Sequence, residues 1–276
     1  MSGAEGTGVS PTGAVLAAIV ESKRREVHGL KHRTCYTRIS DGPRNNVASS
    51  LRRAPGEPLR LLAENKRKSP SAGPLSTALT AAERAVRYAE AGAAMVSILC
   101  DGPFFGGSWD DVVEVRKALA AGGHTIPVLA KEFVIDERQL REASASGADA
   151  VLLIARILDG ERLALLFAQA SSLGLESLVE VVTEEELGWA VAVGATLIGV
   201  NARDLDTLVM DPERAARVLA AIPDTAIPLY LSGLKGPEDV RRIALTRAHG
   251  ALVGEALMRK DDPRPLLAEL VQAARI

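Results

Sequence analysis

The chain has 276 residues, 47% hydrophobic and only 3% aromatic, enough apolar material for the core of one barrel-sized domain of about 250 residues. Its formal net charge of -2 supplies no basic field to draw in nucleic acid or an anionic membrane surface, and a small-molecule enzyme fits better. The two cysteines, Cys35 and Cys100, are too few for a disulfide framework and lack zinc-ligand spacing, so Cys100, at the end of an apolar run, reads as a reduced core thiol. The early apolar run 14–20 is followed, not preceded, by Lys23, Arg24 and Arg25, the wrong order for a secretory signal, and a cytoplasmic protein is expected.

In chain order, a helix is predicted over 12–28, followed by a stretch rich in Gly, Pro, Asn and Arg. Residues 1–58 read as an extension laid over the mouth of a barrel formed by 59–276, not as a separate domain. Short runs rich in Val, Ile and Leu then fall at 59–65, 95–99, 127–131, 151–154, 177–182, 197–200, 228–232 and 251–253. A polar cluster and an amphipathic segment follow each, the pattern of parallel strands covered by helices. Gly92-Ala93, Gly147-Ala148, Gly194-Ala195 and Gly250-Ala251 introduce alternate runs at intervals of roughly 50 residues, the length of two strand-helix units. Such a series closes most naturally into an α/β (β/α)8 TIM barrel with an amino-terminal helical extension. The alternative, an open doubly wound sheet, lacks its glycine-rich dinucleotide turn, because AENKRKSPSAG after the first run is not G-x-G-x-x-G.

In a barrel the site forms at the carboxyl ends of the strands. There the sequence supplies Glu64, Lys66 and Ser69, then Lys131 and Glu132, Glu180, Asn201 and Arg203, and Ser232. Cations and acids crowded into one mouth shift one another's pKa values, as proton transfer requires. Ser232-Gly233 and Gly254-Glu255 follow the seventh and eighth runs, where barrels build phosphate sites from backbone N–H groups. His28, His32, His124 and His249 are scattered away from the strand ends, so no metal is expected.

The run AENKRKSPSAG at 63–73 resembles the signature of the indole-3-glycerol phosphate synthases, in which a glutamate and a lysine precede a Ser-Pro-Ser turn. FFGGSWDDVVEVR from Phe104, PVLAKEFVIDERQLREASASGADAVLLIARIL from Pro127, LVEVVTEEEL from Leu178, IGVNARDLDTL from Ile198 and ALVGEALMRKDDP from Ala251 extend the likeness, and LAAIVESKRREV looks like the family's amino-terminal helix. The resemblance implies a carboxy-lyase of tryptophan biosynthesis that closes an indole ring on a phosphorylated anilino-sugar without a cofactor. It implies Lys131 as the general acid, Glu180 as the acid/base of dehydration, Lys66 as partner of the substrate carboxylate, and Glu64 as the group orienting Lys66. Asn201 and Arg203 match polar substrate contacts, and Phe105, Phe133, Leu152 and Ile154 the pocket for the aromatic ring. Ser69, Ser232, Gly233, Gly254 and Glu255 match the phosphate site. The expected partner is that small molecule alone, with no nucleic acid and no membrane, and the expected state is a monomer.

Four positions depart from the family pattern. Leu231 stands where many relatives carry a glutamate, Ala130 for a frequent arginine, Glu132 for a frequent aspartate and Asn65 for an apolar residue. They flank the matched catalytic positions without replacing them. A paralogue serving a specialised tryptophan-supply pathway is compatible with this. A non-catalytic phosphate-binding barrel subunit would be expected to have lost Lys131 or Glu180, and another phosphate-binding barrel isomerase would not need the Ser-Pro-Ser lysine signature.

Overall fold

The computed structural model describes residues 13–29 and 44–275. The expectations at Cys35 and His32 fall outside them. Eight parallel strands close into a barrel: β1 (Arg60–Asn65), β2 (Met95–Leu99), β3 (Val128–Lys131), β4 (Ala150–Ile154), β5 (Glu176–Val181), β6 (Leu197–Asn201), β7 (Ile227–Leu231) and β8 (Gly250–Val253). Each pairs with its sequence neighbours, and β8 closes on β1 with Gly250 beside Arg60 and Val253 beside Ala63. The strands lie within a residue of the runs read from the sequence.

Helix starts are written in the sequence. Thr80, Ser108, Asp136, Asp159, Thr183 and Asp211 each cap a helix by accepting a backbone N–H of its first turn. Thr80 with Glu83 and Asp136 with Gln139 form reciprocal capping boxes. The stops are glycines. Gly92, Gly147 and Gly194 take left-handed φ of 93°, 85° and 74°, which reverses the chain into the next strand at no steric cost. Gly250 differs from these three: it already belongs to β8, and a Cβ there would press on Arg60 O at 2.9 Å and on Leu62 and Leu229 at 3.0 Å. Three of the four Gly-Ala pairs are thus helix stops, and the fourth is a packing requirement of barrel closure.

Strand residues alternate between two cores. Outward residues such as Ala63, Val96, Val151 and Val179 pack under the helices, while Leu62, Met95, Leu129, Leu152, Leu178, Leu197, Leu229 and Leu252 fill the barrel. Cys100 is buried in the outer core, and burial pushes its thiol well above the usual range.

The amino-terminal segment serves both ends of the barrel. Helix α1 (Gly13–Gly29) lies at the carboxyl ends of the strands, with Leu16, Ile19 and Val27 buried on one stripe. Helix α2 (Val47–Leu51) lies at the opposite end, where Val47 and Leu51 join the interior cluster and Val47 N donates to Glu176 Oε1 at 2.6 Å. The extension therefore does more than cover the mouth. Among the described residues no helix is long and apolar enough to cross a membrane.

Candidate active site

Glu64, Lys131 and Glu180 each follow an inward-facing leucine by two residues, and Asn201 follows Gly199 in the same way, so strand alternation turns all four side chains into the barrel mouth. Lys66 and Arg203 lie just beyond β1 and β6. The side chain of Glu64 is 2% exposed and receives two cations, Lys66 Nζ at 2.5 Å on Oε1 and Lys131 Nζ at 3.1 Å on Oε2. Burial pushes the Glu64 carboxyl upward, but Lys131 and Lys66 outweigh it and hold the group at about 2. For Lys131 burial acts downward, yet Glu64 and Glu180 prevail and raise its pKa. Burial dominates at Glu180 and raises it, with Lys131 and the hydrogen bond from Asn201 offsetting only part.

Glu180 Oε1 accepts from Asn201 Nδ2 at 2.9 Å, while its other oxygen is buried and has no hydrogen-bond partner among the described residues. Asn201 Oδ1 in turn accepts from Ser232 Oγ at 2.8 Å and from Arg203 N at 3.0 Å. That fixes the amide orientation and leaves the free carboxylate oxygen of Glu180 as the open end of a β5–β6–β7 chain. Arg203 Nη1 donates to Leu208 O at 3.2 Å within the loop that follows β6.

Two adjoining cavities share Glu64, Lys66, Ser71, Lys131 and Arg203. One is apolar, walled by Phe105, Phe133, Leu152 and Ile154 and roofed by Val15, Leu16 and Ile19 of α1. Its two phenylalanine rings stand 5.7 Å apart between centroids at 31°. The other is polar, bordered by Ser232, Gly233, Gly254 and Glu255. Ser232 holds φ at 79° and Gly233 at 85°; the left-handed serine is a local strain of roughly 1–2 kcal/mol that its bond to Asn201 offsets.

Of the residues expected at the phosphate, four border the polar cavity, but Ser69 does not. It lies on a small hairpin, Lys68–Ser69 against Gly73–Pro74, borders the apolar cavity, and spends its hydroxyl accepting Ala72 N at 3.1 Å. Ser71 reaches both cavities instead. Sequence reading also missed Lys235, Arg259 and Lys260 around the polar cavity, and Leu205 and Leu208 at the apolar one. The first three lie a few residues past the strand ends, close behind Ser232-Gly233 and Gly254-Glu255, so extending the search beyond the strand ends would have found them. The leucines come from the loop after β6, pinned by Arg156, whose guanidinium meets Glu186 and Asp206 at 2.6 Å each. No periodicity announces them.

Among the described residues no group of three or more His, Cys, Asp or Glu is arranged to hold a metal ion. His28 sits exposed on α1 and His249 Nδ1 accepts Arg53 N at the far end of the barrel.

The profile of the indole-3-glycerol phosphate synthase family matches residues 16–270. The indole-3-glycerol phosphate synthase of Mycobacterium ulcerans is 40% identical over 264 residues, 94% of each chain, and that of a Parafrankia species is 43% identical over 254 residues, covering 92% of this chain and 90% of its own. The chain belongs to the indole-3-glycerol phosphate synthase family. Among solved structures, a tryptophan synthase alpha chain from Legionella pneumophila superposes with a TM-score of 0.63 at 16% identity, covering 84% of this chain and 98% of its own. Thiamine phosphate pyrophosphorylase from Pyrococcus furiosus gives 0.60 at 16% identity, covering 83% and 98%. These two likenesses concern the barrel fold alone.

Within the synthase family, the departures of this chain now have places. Leu231 is an inward residue of β7, buried beside Leu178 in the space that Gly199 leaves free, so a leucine fills this level of the barrel. Ala130 faces the outer core. Asn65 is buried at the end of β1. Glu132 borders the apolar cavity beside Lys131 and pairs with Lys23 of α1.

Gly254 is required by close approach, because a Cβ there would fall on Glu64 Oε1 and lie 3.2 Å from Lys66 Nζ. Gly254→Ala is expected to displace that ion pair and to lower kcat/KM by about 10²-fold, since catalytic groups tolerate little misplacement. Steady-state kinetics beside a melting curve check this: a folded variant with full activity would show that the pair has room to move.

Proposed function

We propose that the protein converts 1-(2-carboxyphenylamino)-1-deoxyribulose 5-phosphate to indole-3-glycerol phosphate, releasing carbon dioxide and water. The observation that carries this reading is the buried Glu64 carboxylate clamped between Lys66 and Lys131 where the apolar and polar cavities meet. The substrate has the same division: an aromatic ring at one end, a phosphate at the other, and a carboxylate and a ketone between.

In this reading the ring lies against Phe105, Phe133, Leu152 and Ile154, and the phosphate meets Ser232, Gly233, Gly254 and the backbone of Glu255, with Ser69 and Ser71 on the hairpin between. The ring carbon bearing the carboxylate attacks the ketone carbon while Lys131 gives a proton to the ketone oxygen. The bond to the carboxylate then breaks, carbon dioxide leaves, and its electron pair restores the aromatic ring. The new hydroxyl departs as water and the neighbouring carbon loses a proton, closing the indole double bond; Glu180 moves that proton, and Lys66 assists the leaving hydroxyl. Glu64 touches both lysines, holds them in place and raises the pKa of Lys131. Asn201 and Arg203 hold the substrate's hydroxyl and carboxylate groups. General acid–base steps of this kind are worth about 10² to 10⁴ each in rate.

A non-catalytic barrel would have no need of Lys131 and Glu180 facing one mouth. The test is direct. Mixed with the anilino-deoxyribulose phosphate, the protein is expected to generate indole-type fluorescence, and absence of product from folded protein overturns the reading. Because every step is a proton transfer or a bond break that amines and carboxylates can assist, turnover is expected to survive exhaustive treatment with EDTA. Activity lost on chelation and restored by a divalent ion would contradict this.

A further inference from the structure

Lys23 is fully buried although it lies on a helix outside the barrel. Its Nζ is 3.0 Å from Glu132 Oε2, 2.7 Å from Glu26 Oε2, and 2.9 Å from Asp101 Oδ1, the last at ion-pair distance but off the hydrogen-bond line. The side chains of Asp101 and Glu132 are themselves fully buried. An ion pair of this kind costs much desolvation and contributes little to net stability, so its presence calls for another account.

The two carboxylates supply one, because each has a second task. Asp101 Oδ2 accepts the backbone N–H of Phe104 at 2.7 Å and of Phe105 at 3.0 Å. Glu132 Oε1 accepts that of Phe133 at 2.7 Å, and Glu132 directly follows Lys131. Phe105 and Phe133 are the two facing rings of the apolar cavity. One ammonium therefore joins the carboxylates that fix the backbones of both rings, and the helix that carries it roofs the same cavity with Val15, Leu16 and Ile19.

We propose that Lys23 is a positioning residue for the aromatic end of the substrate: it sets the slot between Phe105 and Phe133 and seats α1 over it. The proposal rests on the reading of the apolar cavity as the ring site. Burial pushes the Glu132 carboxyl up to about 7 even beside Lys23, which supports the view that the cation is what keeps two buried acids in one place. Among the described residues Ser232 bonds to Asn201 and Glu255 pairs with Arg259, and neither bonds to Lys23, Asp101 or Glu132.

Two variants test it. Lys23→Met with Glu132→Gln removes the cation and one of its two fully buried acids, leaving Asp101 held only by the N–H groups of Phe104 and Phe105, while Lys23→Arg keeps the charge but cannot keep the same geometry with both carboxylates. In each, KM for the anilino-sugar phosphate is expected to rise, by about tenfold in the double variant and less in Lys23→Arg, with a smaller change in kcat. The inhibition constant of inorganic phosphate is expected to stay within about twofold, as the split between cavities requires. A brace that served folding alone would lower the melting temperature and leave KM where it was. Unchanged KM in folded variants overturns the proposal, and so does a parallel weakening of phosphate, which would mean that the whole mouth had loosened. If the double variant does not fold, Lys23→Arg alone decides. Wild-type protein that forms no indole product would instead sink the functional reading, so the two failures are distinguishable.

Discussion

Replacing Lys131 by alanine is expected to lower turnover by at least about 10²-fold, the lower range for loss of a general acid. In the proposed reading Lys66 serves the later departure of the hydroxyl, and no second group is assigned to the ketone oxygen. The barrel should persist, since Glu64 keeps Lys66 as counter-ion and is not left buried without a cation. Resistance to acid should nevertheless change. Glu64 has its pKa depressed to about 2, so the stability it contributes is present above its unfolded value of about 4.3 and is lost as pH falls toward the folded value. Without Lys131 the folded pKa rises toward the unfolded value, so Glu64 contributes less stability at neutral pH, the acid loss is smaller, and it is complete at a higher pH. Rapid-mixing kinetics and acid titration of the fold measure the two effects, and near-normal turnover in Lys131→Ala would assign the proton transfer to another group.

Glu180→Gln is expected to cost about 10² to 10⁴ in kcat with a much smaller change in KM, because glutamine keeps the bond to Asn201 but has no group that titrates and can serve as acid or base. The pH–rate profile offers the sharper readout. Burial lifts Glu180 above its usual value, so the acid limb of kcat in the native protein should lie to the alkaline side of that of an unperturbed glutamate and be missing from the residual activity of the variant. A native acid limb at the ordinary carboxylate position, or one that survives in Glu180→Gln, would move the role elsewhere.

The barrel was legible because two signals agree: short runs rich in Val, Ile and Leu mark the strands, and the recurring Gly-Ala pairs space them at the length of two strand-helix units. The position of Glu64, Lys131, Glu180 and Asn201 followed from their place at the carboxyl ends of those runs. What the sequence hid is what depends on the reach of long side chains or on contacts distant in sequence. Lys23 reads as one more surface cation in the run Lys23-Arg24-Arg25, and only burial against Asp101 and Glu132 sets it apart. Ser69 and Ser71 differ by two residues in a Ser-Pro-Ser turn, and the hairpin geometry decides which of them reaches the polar cavity. The destination of α2 was invisible for a similar reason: its partners, such as Glu176, lie more than a hundred residues away, as the separation of 129 between Val47 and Glu176 records.

That last separation has a meaning for how the chain is made. A segment synthesised early finds partners in segments synthesised much later: Arg53 N donates to His249 Nδ1 across 196 residues, and β1 cannot complete its pairing until β8 exists. At roughly 5–20 residues per second, the nascent helix bearing Val47 and Leu51 waits on the order of 10 to 40 seconds on the ribosome with its apolar face unclaimed. Closing the far end of the barrel is thereby a late event, and that waiting period is when this chain has most need of shelter from its neighbours.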